Sequence, residues 1–127
     1  LQDQQVNAAI ANAEAVKTNK LITLQKLQGQ YFKELSQLSR LAKRKALYQQ
    51  QLLPQKAEQA EATLNAYTND DGDFSEVMRA RISELNAKID ALNIEIDKQI
   101  TLARRNYYAA AKDNQINAAQ SQGASNE

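Results

Sequence analysis

One break interrupts an otherwise continuous helical pattern, and it lies at residues 67–80. The break contains a run of turn-forming residues: Asn69, Asp70, Asp71, Gly72 and Asp73. Glycine accepts positive φ, and the side chains of Asn and Asp bond to nearby backbone groups in competition with the helix. A single short turn between two long amphipathic segments predicts a helical hairpin, whose arms run back along each other.

The composition favours helices over sheets. The 127 residues include only 3 Gly and 1 Pro, and the chain is rich in Ala, Gln, Leu, Lys and Glu. Because only 6% of the residues are aromatic, we expect thin, closely approaching helix faces and no deep globular core. The sequence therefore predicts an all-α fold, specifically a long antiparallel coiled-coil hairpin.

The first arm is predicted to be one long helix over residues 1–67. Its apolar residues recur at steps of three and four in two rows, the first formed by Leu24, Tyr31, Leu38 and Leu52 and the second by Leu27, Leu41 and Tyr48. Pro54 lacks a backbone donor and clashes with the preceding turn, so we expect a bend near residue 54. No loop-like cluster surrounds Pro54, which argues against a second reversal.

The second arm is predicted over residues 74–111, after a tip turn at 68–73. Its strongest apolar row starts at Met78 and supplies the expected helix seam: Ile82, Leu85, Ile89, Leu92 and Ile96. A row of smaller residues runs beside it, comprising Ala80, Ala87, Ala91 and Ile94. Two rows on one helix predict neighbours on two sides, as in a wall of helices.

The two arms are predicted to be unequal in length. Few large apolar residues follow the Tyr107–Tyr108 pair, so we expect residues 112–127 to be a disordered tail. A second arm that ends near residue 111 would leave the segment before Lys33 without a partner inside the chain. Cut from a longer protein, such a hairpin is expected to self-associate through its exposed apolar faces.

The sequence offers no arrangement of residues that suits catalysis or cofactor binding. The chain has neither His nor Cys, and no spacing of Lys, Tyr, Ser and carboxylates assembles a nucleophile with a base. The acids of the turn do not follow the ligand spacing of an EF-hand loop, so we interpret them as a solvated, helix-capping turn and not as a calcium site. We expect no enzyme activity, cofactor or bound metal.

Charge and hydropathy also limit the class of partner. A formal net charge of +1 gives no field that would attract nucleic acid. No stretch approaches the roughly 20 apolar residues of a membrane-spanning helix. The chain opens at Leu1 in mid-pattern, without an initiator Met or a helix cap, so we expect it to be a piece of a longer protein.

The turn and its flanks resemble a known family. The residues that carry the resemblance are Leu52-Leu53-Pro54, Ala57-Glu58-Gln59-Ala60, Tyr67 and the run from Asp73 to Ala80, Asp-Phe-Ser-Glu-Val-Met-Arg-Ala. Together they are similar to the second repeat of TolC-like outer-membrane efflux proteins, in particular the heavy-metal efflux branch. The resemblance spans roughly residues 1–110. It implies a long helix that descends from an outer-membrane barrel, turns at a periplasmic tip and returns as a shorter helix.

The resemblance assigns roles to the tip residues. Tyr67 matches the tyrosine that ends the descending helix, and the apolar positions that begin the return helix are matched by Phe74, Val77, Met78 and Ala80. Glu76 falls where related channels place an acid that narrows the closed tip, and a ring of such carboxylates would attract cations. Arg79 stands where some relatives carry a second acid, and Asp70 replaces the glycine expected three residues after Tyr67. The implied gate and tip comprises Asp70, Asp71, Gly72, Asp73, Glu76 and Arg79.

The resemblance implies a structural part of a transport system. The chain would be the periplasmic hairpin of a trimeric outer-membrane channel, whose tip docks onto a periplasmic adaptor and through it onto an inner-membrane pump, for export of metal ions or small toxic compounds. Only barrel segments outside this chain would touch the membrane. Two alternatives remain open: the α-hairpin of a periplasmic adaptor, which predicts arms of comparable length, and a cytosolic coiled-coil scaffold.

Overall fold

The computed structural model describes residues 1–125, which form helices joined by turns. Helix α1 spans Gln2–Leu47, a π-helical turn spans Tyr48–Leu52, and α2 spans Leu53–Thr68. After the turn, α3 spans Phe74–Ala124. No strand occurs within residues 1–125. The prediction of an all-helical chain with two long arms joined by a turn is confirmed. The turn was predicted at 68–73, and in the structure Thr68 is the last residue of α2.

The π-helical turn lies immediately before Pro54 and has a local cause. Proline cannot donate to the carbonyl four residues earlier, and its ring crowds that carbonyl. The preceding turn widens instead, so that Leu53 donates its backbone N–H to the carbonyl of Tyr48, five residues back. The helix then continues as α2 without a reversal. At this point the structure has a wide turn with one extra residue, and the predicted bend near residue 54 stays a prediction.

Contacts divide the chain into two parts, the first of which comprises residues 36–101 and carries the turn. In this part α3 presents a regular set of buried and half-buried residues at alternating steps of three and four. We call this set the inner row: Val77, Ala80, Glu84, Ala87, Ala91, Ile94, Lys98 and Thr101. On the first arm, Leu41 is buried and Ala60 is 0% exposed. Small side chains let neighbouring helices approach closely.

The packing corrects the predicted seam of the second arm. The larger apolar residues do not face the first arm but are exposed, and we call them the outer row: Phe74, Met78, Ile82, Leu85, Ile89, Leu92, Ile96 and Ile100. At 3.6 residues per turn the mean directions of the two rows differ by roughly 160°. The buried face of α3 carries the predicted row of smaller residues, Ala80, Ala87, Ala91 and Ile94, and the larger seam residues are exposed within this chain.

The predicted rows of the first arm are confirmed within this part. Leu41 is buried, and Leu38, Tyr48 and Leu52 are half-buried. Here the first arm carries few competing large apolar residues on its other faces, so the apolar pattern alone identifies the packed face.

The other part comprises Leu1–Leu35 and the end of α3 from Leu102. Lys112 lies over the ring of Tyr31, with its Nζ 5.5 Å from the ring centroid, and Lys20 donates to Gln122. The segment before Lys33 thus has an internal partner, contrary to expectation, although residues 1–19 are exposed.

The predicted disordered tail is helical as far as Ala124. Alanine, glutamine and lysine favour helix, and Lys112 and Ile116 are half-buried in this part of the chain. A few anchoring contacts therefore suffice where the apolar pattern is weak. Residues 126 and 127, which the prediction also included, lie outside the described residues.

Candidate functional site at the helical tip

The turn ends α2 with two backbone hydrogen bonds that close the helix. Asp71 donates its N–H to the carbonyl of Ala66 at 3.0 Å, and Asp70 donates to the carbonyl of Tyr67 at 3.2 Å. This pattern is the Schellman motif, in which the residue after the cap takes a left-handed conformation. Asp70 occupies that position with φ of 60°. It is also the position where the resemblance predicted glycine, the residue that adopts a left-handed conformation most readily.

Gly72 is required by a close approach and not by its φ angle. A Cβ atom at this position would lie 2.9 Å from the backbone nitrogen of Tyr67 and 3.1 Å from the carbonyl carbon of Ala66. Both neighbours belong to the last turns of α2 and cannot yield without distorting the helix end. The turn therefore uses its glycine two residues after the left-handed position, where the chain passes against the end of α2.

Asp73 caps the start of α3. Its Oδ1 accepts the backbone N–H of Ser75 at 3.3 Å, and its Oδ2 accepts the Ser75 hydroxyl at 2.6 Å. These bonds, first of all that from the hydroxyl, hold the pKa of the Asp73 carboxyl below its ordinary value. Asp73 was predicted as part of the gate and tip, and in the structure its carboxylate is occupied by capping.

The predicted tip-packing residues divide into one buried side chain and three exposed ones. Val77 is buried in the inner row, whereas Tyr67, Phe74 and Met78 are about half exposed. The rings of Tyr67 and Phe74 lie 5.7 Å apart and are tilted by 57°, which is a favourable aromatic pair. The pair links the end of α2 to the start of α3 and adds apolar surface to the tip end of the outer row.

A shallow groove of about 390 Å³ runs between α2 and α3 beside the tip. It brings together the two predicted gate residues Glu76 and Arg79 with polar side chains that were not predicted as part of the tip site: Lys56, Gln59, Thr63 and Ser83, with Ala80 as the small residue among them. The tip thus has a charged groove formed by both helices and, elsewhere, the exposed aromatic pair.

The four tip acids do not converge. Within residues 1–125 no three His, Cys, Asp or Glu side chains are grouped so that they could hold a metal ion. Glu76 lies in the first turn of α3, where its negative charge is favoured by the helix dipole, and it is exposed. A cation attracted to this end of the hairpin would meet dispersed carboxylates and not a preformed ligand cage.

Charged pairs occupy the flanks of α3 above the tip. Arg81 contacts Glu84 at 3.0 Å and Glu61 at 3.4 Å, and Lys88 contacts Glu84 at 3.2 Å. These donors, with Arg81 first, hold the pKa of the Glu84 carboxyl below its ordinary value. Further along, Lys45 pairs with Glu95 at 2.5 Å and is the main cause of the lowered pKa of that carboxyl. Two of these pairs, Arg81 with Glu61 and Lys45 with Glu95, join α3 to the first arm, whereas the pairs of Glu84 lie within α3.

Comparison with known proteins adds no family assignment. No protein-family model matches the sequence, and neither a curated protein nor a solved structure matches the chain. Among residues 1–125, none of the helices combines the length and apolar character needed to cross a lipid bilayer. The assignment of function therefore depends on the residues and geometry of the chain itself.

The groove and the ion pairs were not foreseen from the sequence. The only signal that could have found them is the inner row, whose strict alternation of three- and four-residue steps runs through Glu84 and Lys98 as well as through alanines. The sequence marks four members of this row, Ala80, Ala87, Ala91 and Ile94, but the charged residues interrupt the hydropathy of the full row. Once α3 is oriented by this row, the positions of Arg79 and Ser83 beside α2 follow.

Proposed function

We propose that the chain is the periplasmic helical hairpin of a trimeric outer-membrane efflux channel, packed as an antiparallel coiled coil. In this role it forms part of the duct wall, and its tip acts as a periplasmic gate and a docking surface for an adaptor protein that connects to an inner-membrane pump. Metal ions or small toxic compounds are the proposed cargo, by resemblance of the tip sequence to the TolC-like family.

The observation that carries the proposal is the pair of opposite apolar rows on α3. A hairpin that functions alone needs one buried face on each helix, and its outer face is polar. Here the outer face of α3 carries eight large apolar residues from Phe74 to Ile100, each 45–60% exposed. A helix that is apolar on two opposite faces suits a wall, in which every helix has a neighbour on each side.

The tip supports the same proposal. The turn is short and tightly closed, with its polar backbone groups satisfied by the Schellman motif and the Asp73 cap. Tyr67 and Phe74 form a compact aromatic end, and Glu76 remains exposed beside it. A ring of Glu76 carboxylates from several subunits would favour cations at the mouth of a duct.

One observation favours the alternative of a periplasmic adaptor hairpin. That alternative predicts arms of comparable length, and α3 is 51 residues long and continues to Ala124, so the arms are less unequal than the sequence suggested. The resemblance of the tip favours the channel, because the run from Asp73 to Ala80 carries its match. Under both proposals the chain is a binding and structural element and not an enzyme.

The deciding experiment uses the intact protein that contains this hairpin, reconstituted in planar lipid bilayers. We expect discrete single-channel currents, with block by divalent cations that weakens in Glu76→Gln. The matched control is Glu58→Gln, which removes one exposed carboxylate from α2 and should leave the block unchanged. An intact protein that carries a lipoyl-like β domain and gives no channel would refute the channel and support the adaptor. Currents with identical block in both variants would remove Glu76 from the gate.

A further inference from the structure

The outer row has the residue pattern of a specific kind of coiled coil. Its central part repeats every seven residues, with isoleucine at one core position of the heptad, Ile82, Ile89 and Ile96, and with Met78, Leu85, Leu92 and the polar Gln99 at the other. β-branched residues at position a with leucine at position d favour parallel two-stranded coiled coils. We propose that a second copy of this chain packs on the outer row, forming a parallel dimer over residues 78–99.

The exposed area is sufficient for a stable pair. The six outer-row residues from Met78 to Ile96 are each 45–60% exposed, and together they present on the order of 600 Å² of apolar surface, at the upper limit of what a typical monomer exposes in one patch. A standard interface buries roughly 800 Å² on each partner. The flanking positions of the helix, which also become covered in a coiled coil, supply the difference.

The helix is already formed before the partner arrives. An isolated segment of three heptads would have to fold as it associates, at a cost in conformational entropy. In this chain α3 is held by the inner row against the first arm, with Ile94 only 3% exposed. The outer row therefore lies on a helix that is already formed, so association does not carry the conformational-entropy cost of forming that helix.

The charged residues that flank the outer row do not favour an antiparallel arrangement of the two copies. An antiparallel pair centred near residue 87 would bring Arg81 close to the partner copy's Glu95, but it would also place the two Lys88 side chains together. Arg81 is already paired with Glu61 and Glu84 inside the chain. Such an antiparallel pair would compete with those existing ion pairs.

In the parallel arrangement the same flanking residues meet uncharged partners. Arg81 and Lys88 would lie beside Asn86 and Asn93 of the second copy, so no like charges are brought together. Glu95 would face the apolar Ile100 and keeps its own ion pair with Lys45. The matching of isoleucine with isoleucine and leucine with leucine then selects the parallel alignment.

This inference concerns the chain by itself and does not depend on the proposed channel. Sedimentation equilibrium on the full chain should give a mass twice the 14.2 kDa of one copy. Ile89→Glu places a carboxylate in the core of the pair and should weaken dimerisation by roughly 100-fold or more. The matched control Asp90→Glu introduces the same side chain one position away, off the core, and should dimerise as the unchanged chain does. A monomer at all concentrations, a trimer, or equal behaviour of the two variants would overturn the proposal.

Orientation is tested with cysteine, because the natural chain contains none. In a parallel pair the two copies of position 78 face each other, so Met78→Cys should cross-link with itself on oxidation. In an antiparallel pair position 78 faces position 96, so cross-linking would require a mixture of Met78→Cys with Ile96→Cys. Efficient self-cross-linking of Met78→Cys, with Asp97→Cys remaining uncross-linked as an off-core control, supports the parallel dimer. Cross-linking only in the mixture would refute the parallel orientation.

Discussion

Truncation of one isoleucine on each face of α3 separates packing inside the chain from packing between copies. Ile94 lies in the inner row and is 3% exposed, whereas Ile89 lies in the outer row and is 54% exposed. Both substitutions to alanine remove the same three carbon atoms from the same helix. They also raise the helix propensity by a similar small amount. Differences in their effects therefore report on the environment of each side chain.

The magnitudes follow from burial. Loss of three buried carbon atoms costs roughly 2.4 kcal/mol of transfer free energy at about 0.8 kcal/mol per group. The residual cavity adds to this value, although an interface between only two helices can partly collapse, so we expect Ile94→Ala to lower the free energy of unfolding by about 2.5 to 3.5 kcal/mol. For Ile89→Ala in the monomer we expect a loss of about 1 kcal/mol, because half of the side chain is already in water and alanine raises the helix propensity.

Urea denaturation followed by far-UV circular dichroism measures both values, and it should be repeated at low and high protein concentration. The effect of Ile94→Ala should not depend on concentration. The effect of Ile89→Ala should grow with concentration, since the unchanged chain gains stability from association and the variant does not. If Ile94→Ala costs less than about 1 kcal/mol, or if the two variants behave alike at every concentration, the assignment of inner and outer rows is wrong.

Three further predictions concern the turn and the acidic residues. Gly72→Ala should destabilise the hairpin by about 1 to 3 kcal/mol, measured by urea denaturation, because the added Cβ meets backbone atoms of α2; stability within a few tenths of the unchanged chain would contradict the close approach. Asp70→Gly should stabilise it by up to about 1 kcal/mol, since glycine adopts a φ of 60° without strain; a loss of stability would show that the Asp70 side chain contributes to the turn. The lowered pKa values of Asp73, Glu84 and Glu95 mean that the folded state binds fewer protons than the unfolded state. The contribution of these three carboxylates to stability should therefore be fully present above their ordinary pKa values of 3.8 and 4.5, and should be lost as the pH falls through the lower pKa values of the folded state. Thermal denaturation across this range should show a flatter dependence of stability on pH for Glu84→Gln. An unchanged pH dependence would refute the role of Glu84.

The sequence predicted the fold class, the turn and the packed face of the first arm because each depends on local or strongly periodic signals. Gly72 and its neighbours are turn formers, and Leu41 and Tyr48 stand in rows with little competition. The packed face of α3 was not predictable in the same way. Ile89 and Leu92 exceed Ala87 and Ala91 in hydropathy, so a ranking by size selects the outer row. In the structure the row of smaller residues is the buried one.

The groove of the candidate site and the end of α3 were not predictable from the sequence, for a different reason. The groove beside the tip depends on which side chains of α2 and α3 approach across the hairpin, and Lys56 and Ser83 give no local sign of this. The end of α3 depends on contacts of Lys112 and Gln122 with the first arm, which lie far away in sequence. In contrast, capping by Asp73 and the exposure of Glu76 follow from their positions at the start of the helix.

The wide turn at Tyr48–Leu52 changes the direction, around the helix axis, in which the residues of α2 point. Each residue of an α-helix advances about 100° around the axis, so one extra residue per π turn changes the rotational phase of everything that follows. Before the turn, Leu41, Lys45 and Tyr48 are spaced by four and three; after it, Leu52, Lys56 and Ala60 are spaced by four and four. A regular helix at this point would swing Ala60 away from α3 by a quarter turn or more. Pro54, through the wide turn that precedes it, thus rotates the packed face of α2 towards α3.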